Sequence, residues 1–250
     1  MEVSRERFGY KDLQRGSGEA LPNDTVPVPR PLIGRLWLAL GVSGFFMLAA
    51  AVQGAKRPGY DSWHQAVSAL SLGPGGWVQG INFILLGLAL LGTVSTWRRI
   101  LAGGRGARAY PLLTAITGVS FVVVAFVPQD PAPGYDPVQL ALTAPTAVGL
   151  LHLALAGVAA GCSVAGLFVM ANRFSADPRW RGWASYTRVM AALMIMSVAI
   201  YGVWSTTATG FAGTFERLAI LIPSVWGLTF VRRLWQGAPF MASVGSRSIE

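Results

Sequence analysis

Charged side chains are scarce in this sequence, and their absence follows a pattern. Only 12% of the 250 residues are charged, about half of what soluble globular domains carry. No Asp, Glu, Lys or Arg occurs in six separate stretches, at 36–55, 62–97, 109–129, 137–172, 189–215 and 218–231. A helix that crosses the hydrocarbon core of a bilayer needs roughly 20 apolar residues. A soluble protein could not cover so many uncharged runs, so we interpret the chain as an integral membrane protein.

Cysteine and several catalytic motifs are also missing. Cys162 is the only cysteine, which excludes a disulfide within the chain and a thiolate metal cluster. The sequence contains no Walker loop, no GxSxG elbow and no dinucleotide fingerprint. It also has no arginine-rich voltage helix and no deeply buried acid of the kind found in proton pumps. These absences count against ATPases, serine hydrolases with a soluble fold, and conventional ion-coupled transporters.

The uncharged stretches predict an all-α fold, a polytopic membrane helix bundle with about six transmembrane helices. We place the spans at 34–55, 76–97, 109–128, 147–171, 186–208 and 214–234. Together they form a six-helix transmembrane domain over residues 32–236. Residues 1–31 are polar and end in a proline-containing run, which predicts a disordered cytoplasmic tail. Residues 237–250 are predicted to be a cytoplasmic C-terminal tail.

The basic residues predict the topology. A net charge of +9 can indicate a nucleic-acid binder, but of the 20 Lys and Arg only Lys56, Arg57 and Arg217 fall on one side of the predicted spans. Positive residues in short loops stay in the cytoplasm. We therefore predict that both termini are cytoplasmic (N-in, C-in) in the inner (plasma) membrane, and no nucleic-acid binding. The excess of Arg over Lys, with abundant Ala and Gly, indicates a GC-rich bacterial source.

Two glycines in the fourth span have the spacing of a helix-packing motif. Gly157 and Gly161 form GxxxG. Lipid provides no hydrophobic drive for helix association, so small residues that allow close approach become important. We therefore expect these glycines to lie at a tight contact between helices.

The chemically reactive groups cluster at the predicted outer side. Both histidines and the carboxylates outside the cytoplasm belong to this set, which comprises Asp61, His64, Asp130, Asp136, His152 and Glu216. In the first outer loop, a helix would place Asp61, His64 and Ser68 on one face. That pattern predicts a short amphipathic helix lying on the membrane surface.

His152 lies about one turn inside the fourth span and needs a hydrogen-bond partner once it is buried. Asp130 or Asp136 from the preceding loop could supply it. Two histidines with nearby carboxylates, here His64, His152 and Asp130, are also the minimum set for a zinc site or for general acid–base catalysis. A structural hydrogen-bond network remains the other interpretation of the same residues.

Glu216 and Arg217 lie just inside the outer edge of the last span, where a charge needs a partner. Adjacent helical residues point about 100° apart, so we expect at least one of the two to face the bundle. Polar groups on other spans could meet it, namely Gln79, Asn82, Ser205 and Thr206. Gln79 and Asn82 share a helix face and predict a polar seam.

Several segments resemble a known family. The run YDSWHQAVSALSLGPGGWVQGINFILLG, then DPAPGYDP, TAVGLLH, GWASY and GTFERL followed by Trp226, occur in the order found in the bacterial membrane family catalogued as domain of unknown function 998. The resemblance covers roughly residues 34–235. It implies about six spans and no particular activity. The motif positions fall on Asp61, Ser68, Trp77, Asn82, Asp130, His152, Glu216 and Arg217.

Two functions remain open at this point. In the first, the protein binds or handles a membrane lipid or small amphiphile at a polar outer mouth. The residues that would bind it are Asp61, Ser68, Asn82, Asp136, Glu216 and Arg217. In the second, it is a membrane hydrolase, with a metal or without one, that acts on a lipid of the outer leaflet through His64, His152 and Asp130. The sequence predicts neither a cofactor nor an oligomeric state.

Overall fold

A computed structural model describes residues 28–131, 145–206, 210–237 and 240 of the chain. In these residues all regular structure is helical, which confirms the all-α prediction. There are six α-helices, α1 Arg30–Lys56, α2 Gly76–Ile100, α3 Ala109–Val124, α4 Ala147–Ser175, α5 Arg181–Trp204 and α6 Ala212–Trp235. All but α3 are long and apolar enough to cross a membrane. The protein is therefore a multi-pass membrane helix bundle.

The third helix is shorter than predicted, and its early end has a local cause. The N–H groups of Phe126 and Val127 bond to carbonyls three residues back, at 3.0 and 3.2 Å, which tightens the turn after Val124. Pro128 follows, and a residue that precedes proline is disfavoured in the α conformation. The predicted end at 128 is therefore wrong. As a result, the carbonyl of Val127 is available to a partner outside α3.

The first helix begins inside the segment that we predicted to be a tail. Pro29 is its N-cap and Pro31 lies in its first turn. Proline is tolerated there because the first N–H groups of a helix have no partner within the helix. The prolines near 31 therefore start α1 rather than prevent it. Residues 1–27 and 241–250 lie outside the described part of the chain.

The six helices of the described residues are arranged in a ring. Each packs against its neighbours in the sequence, and α6 also packs against α1. At the α2–α3 crossing, Gly87 and Gly118 bring the two backbones together, since an added Cβ on Gly87 would lie 2.6 Å from the carbonyl oxygen of Gly118. The prediction for Gly157 and Gly161 is wrong, because no atom lies within 4 Å of an added Cβ at either position. Among the described helices, two backbones approach each other through glycine where α2 crosses α3.

The bundle has two chemically different ends. One end, which we call the histidine end, comprises the segments 57–75, 125–131, 145–152, 205–206 and 210–217. Contacts such as that between Glu216 and Val67 bring these segments together. The other, the arginine end, comprises 28–35, 97–108, 173–188, 230–237 and 240, where Arg173 bonds to the carbonyl of Leu101. The sequence predicts that the arginine end is cytoplasmic.

Aromatic rings fill the arginine end of the ring. Trp226 and Phe230 stack with centroids 5.3 Å apart and planes 6° apart, and Trp97 stacks on Phe230 at 6.0 Å. Trp180 adds to this cluster and carries the guanidinium of Arg233 over its ring at 4.5 Å. These side chains close the bundle at the arginine end. The space between them and the histidine end is not filled by the described residues.

Candidate functional site: a cavity with one polar end

A cavity of about 510 Å³ lies inside the helix ring. All six helices contribute to its walls, which are mostly apolar, for example Leu40, Leu90, Leu113 and Ile220. Ligand pockets of proteins have volumes of about 300–1,000 Å³ and are lined mainly by apolar side chains with a few polar groups. The cavity is therefore large enough for a small amphiphile.

The carboxyl group and the imidazole of the wall lie where the cavity meets the histidine end. Hydroxyl groups line the rest of the wall as well, and several of them bond to carbonyls of their own helices. Ser68, His152 and Glu216 line the cavity at the histidine end, and all three were predicted from the sequence as site residues. Ser120 and Tyr201 also line it, and the sequence interpretation missed both. A serine and a tyrosine in apolar helices give no signal until the helices are arranged around a common space.

The loop between α1 and α2 folds over the start of α6. The carbonyls of His64 and Trp63 accept hydrogen bonds from the N–H groups of Gly213 and Thr214, at 3.2 and 3.0 Å. These N–H groups belong to the first turn of α6 and have no partner within the helix. A side chain on Gly213 would collide with the carbonyl of Ser62. The loop therefore caps α6, and glycine is required at the contact.

This arrangement corrects the prediction of a surface helix in the loop. Residues 62–64 form a turn, and the helical part is a short 3-10 helix, Val67–Ser71. Its first four residues are buried, so Ser68 does not lie on an exposed polar face shared with Asp61 and His64. The segment is part of the core because α6 binds its backbone.

Glu216 connects this loop to the cavity. Its carboxylate accepts a hydrogen bond from the backbone N–H of Val67, and the Ser68 hydroxyl lies 3.5 Å from it. Ser68 itself donates to the side chain of Gln129. Among the described residues, no basic side chain forms an ion pair with Glu216. Glu216 is therefore an acid at the polar end of the cavity without a cationic partner in contact.

Arg217 does not neutralise Glu216 by direct contact. Its Nη1 donates to the carbonyls of Ser62, Gln65 and Gly213 at 2.7, 3.0 and 2.8 Å, and its Nη2 to the hydroxyl of Tyr60 at 2.6 Å. A guanidinium can serve several acceptors in this way because it has five N–H groups. Arg217 attracts Glu216 electrostatically, but its hydrogen bonds hold the loop. The predicted partners on α2 and α5 make no hydrogen bond to either residue.

His152 has one nitrogen in use and one available. Its Nδ1 lies 2.6 Å from the carbonyl oxygen of Val127, so Nδ1 carries the hydrogen and donates it. In the neutral ring, Nε2 is then an acceptor. Among the described residues no partner bonds to Nε2, and His152 lines the cavity. The predicted partner Asp130 does not bind His152, because it accepts from the N–H and hydroxyl of Thr146 at 2.8 and 2.6 Å.

Asp61 and His64 form a separate pair outside the cavity. The Asp61 carboxylate lies 2.7 Å from the Nδ1 of His64, and both side chains are substantially exposed. The backbone N–H of Trp63 donates to Asp61 and is the main reason that the pKa of this carboxyl lies below its usual value, with His64 adding to the effect. The His64 ring also stacks on Phe211, with centroids 5.2 Å apart. The two histidines therefore have different partners.

Asn82 lies in the packing between helices rather than in the cavity wall. Its Nδ2 donates to the carbonyl of Phe46 at 3.0 Å and lies 3.3 Å from the Oε1 of Gln79. Both amides are buried, so they form the polar seam that the sequence predicts. This seam joins α2 to α1.

The zinc hypothesis finds no support in the described residues. No three His, Cys, Asp or Glu side chains within them are close enough to hold a metal ion. Asp136, the remaining predicted carboxylate, lies outside the described residues. The metal ligands predicted from the sequence, His64, His152 and Asp130, instead bind Asp61, Val127 and Thr146.

Exposed residues of α4 and α5 line the cavity towards the histidine end. Near the arginine end, the facing surfaces of these helices are buried, as at Leu167 with 2% exposure and Ala191 with 0%. Towards the histidine end, Leu153 lines the cavity and is 56% exposed. Gly157 and Gly202 also line it, and no atom lies within 4 Å of an added Cβ at either glycine. These exposed lining residues favour an opening between α4 and α5 at this end of the cavity.

Comparison with known proteins gives one match. The family described as a protein of unknown function, DUF998, matches residues 40–233. The chain belongs to the DUF998 family. Searches of curated proteins and of solved structures found no match. Two sequence segments that indicated DUF998 bind each other: YDSWHQAVSALSLG contains Ser62 and Val67, which contact Arg217 and Glu216 of GTFERL. Of the motif residues in this DUF998 protein, Ser68, His152 and Glu216 line the cavity at its histidine end.

Proposed function

We propose that this DUF998 protein binds a membrane lipid or small amphiphile in the cavity of its helix ring, with the polar group of the ligand at the histidine end. The observation that carries the proposal is the shape and chemistry of the cavity. It has mostly apolar walls and, at one end, a carboxyl group and an imidazole. The exposed lining residues Leu153, Gly157 and Gly202 favour a side opening towards the bilayer between α4 and α5. An amphiphile has the same division into a tail and a head.

The side opening favours a ligand that comes from the membrane. Aromatic side chains close the arginine end, and the 57–75 loop covers the histidine end. The opening between α4 and α5 connects the cavity to the apolar surroundings of the helices. A ligand that partitions into the bilayer can enter there without leaving an apolar environment.

The proposal also specifies the orientation of the protein in the membrane. With the arginine end in the cytoplasm, the polar end of the cavity lies at the outer leaflet of the plasma membrane. The head group of the ligand is then level with the head groups of that leaflet.

Two tryptophan variants of α4 test the proposal. Gly157→Trp places an indole in the opening beside the cavity, where no atom occupies the space around an added Cβ. Gly161→Trp is the matched control, since it lies one turn further along, is equally open, and does not line the cavity. Lipid extracted from each protein, purified in mild detergent, is quantified per protein by mass spectrometry.

We expect Gly157→Trp to lose one class of co-purifying lipid that wild type and Gly161→Trp retain. Lipid that adheres to the outside of the bundle is present in all three and serves as the baseline. Equal lipid content in the three proteins, with all of them folded, would rule out the cavity as the binding site.

A further inference from the structure

The described wall of the cavity contains an acidic side chain but no basic one. Glu216 is the only acidic residue in the described wall, and no lysine or arginine lines the wall. A charged group removed from water is stabilised by an opposite charge or by hydrogen-bond donors. For Glu216 the donors in the protein are the backbone N–H groups of Val67 and Ser68, since the Ser68 hydroxyl, 3.5 Å away, donates to Gln129.

The second group at this end is also an acceptor. Because His152 donates through Nδ1 to Val127, its Nε2 presents a lone pair, and no described residue bonds to it. The polar end therefore offers a carboxylate and an imidazole lone pair to whatever occupies the cavity. Both groups require hydrogen-bond donors.

We infer that the ligand is an amphiphile whose head is a protonated amine, held by Glu216 and His152. This inference rests on the proposed function. An ammonium head supplies N–H donors to both acceptors and a positive charge to the carboxylate, and such charge-assisted hydrogen bonds are the stronger ones. A phosphate or carboxylate head would instead place a second negative charge beside Glu216 with no cation in the wall to receive it. The site thus selects against anionic lipids.

The test compares probes that share a tail and differ in the head. Dodecylamine, dodecanol, dodecanoate and dodecyltrimethylammonium are titrated into wild-type protein in a neutral detergent at pH 7, and bound probe is counted by native mass spectrometry. We expect dodecylamine to bind at least about tenfold more tightly than dodecanol, and dodecanoate to bind most weakly. The trimethylammonium probe has the charge without N–H donors and should fall between the amine and the alcohol.

Glu216→Gln tests the residue itself. The glutamine oxygen can still accept from Val67, so the loop contact is kept while the charge is removed. We expect the affinity for dodecylamine to fall by about tenfold or more, with dodecanol unchanged. Ser163→Ala is the control, since Ser163 lines the cavity but its hydroxyl bonds to the carbonyl of Ala159 in its own helix.

The outcomes separate the two proposals. Dodecanoate binding as tightly as dodecylamine in wild type, or an amine preference that Glu216→Gln leaves intact, would overturn the choice of head group and leave the cavity function standing. If wild type binds none of the probes, or if Gly157→Trp binds all of them normally, the proposed function fails together with this inference.

Discussion

The Nδ1 atom of His152 lies 2.6 Å from the carbonyl oxygen of Val127. The contact joins α4 to the first residues beyond α3 and depends on the early end of that helix. It also fixes the tautomer of a histidine that lines the cavity. One hydrogen bond thus connects the local conformation near Pro128 to the chemistry of the candidate site.

Replacing His152 by phenylalanine should destabilise the protein. An aromatic ring is kept, but the part-buried Val127 carbonyl loses its donor, and leaving a buried group unsatisfied costs about 1–3 kcal/mol. We expect a lower thermal midpoint in detergent, measured by tryptophan fluorescence. His64→Phe is the control because His64 is substantially exposed, so its change should be clearly smaller. Equal shifts in the two variants would contradict the structural role of the Val127 contact.

The number and order of the helices could be predicted from the sequence because lipid imposes a simple rule. A spanning segment must satisfy its own backbone hydrogen bonds and carry few charges, so uncharged runs of sufficient length become helices. The end of α3 departs from this rule because hydropathy does not register the turn at Phe126 and Val127. The start of α1 departs from it because proline is permitted in a first turn.

The site was predictable only in part. Ser68, His152 and Glu216 were identified because placing a polar group in or near a membrane span costs free energy. That argument does not require knowing which groups they contact. Their partners were not predictable. The contacts of Arg217 with Ser62 and Gln65 join positions more than 150 residues apart in the chain, and most of them involve backbone carbonyls, which every residue has. The opening proposed between α4 and α5 depends on the relative orientation of two helices, which no local sequence pattern predicts.

Arg217→Lys should loosen the 57–75 loop. An ammonium has three donors on one atom and cannot reproduce the fork that serves Tyr60 and three carbonyls. We expect a loss of about 1–3 kcal/mol and faster amide hydrogen exchange at residues 60–68. Arg99→Lys is the matched control, since the side chain of Arg99 is exposed at the arginine end and makes no hydrogen bond to the described residues. Unchanged exchange in the loop of Arg217→Lys would show that the guanidinium is not what holds it.

Gly87→Ala should separate α2 from α3. The new methyl group would lie 2.6 Å from the carbonyl oxygen of Gly118 and 2.7 Å from a methyl group of Val122, which forces the helices apart. Overpacking of this kind typically costs about 1–3 kcal/mol. Gly161→Ala, where the space is open, should leave the thermal midpoint nearly unchanged. A Gly87→Ala protein as stable as wild type would mean that the two helices do not cross in close contact.

The charge of Asp61 makes the stability of the folded protein depend on pH. Because the pKa of Asp61 is lower in the folded protein than its usual value of 3.8, the charged form stabilises the fold above that value, and this contribution is lost as the pH falls through the lowered pKa. Asp61→Asn should therefore reduce the thermal midpoint at pH 6, and its difference from wild type should narrow below about pH 4. A difference that stays constant with pH would assign the effect to packing instead of charge.

The orientation of the helix bundle relative to the two sides of the membrane can be measured with single cysteines in a Cys162→Ser background. Trp63→Cys places a thiol on an exposed position at the histidine end, and Arg99→Cys places one at the arginine end. Because translocating clustered arginines is unfavourable, we expect a membrane-impermeant maleimide to label Trp63→Cys on intact cells and Arg99→Cys only after permeabilisation. Leu88→Cys, on the outer surface in the middle of α2, should resist labelling in both conditions because lipid covers it. The reverse pattern for the first two positions would place the polar end of the cavity in the cytoplasm, and the ligand would then be drawn from the inner leaflet.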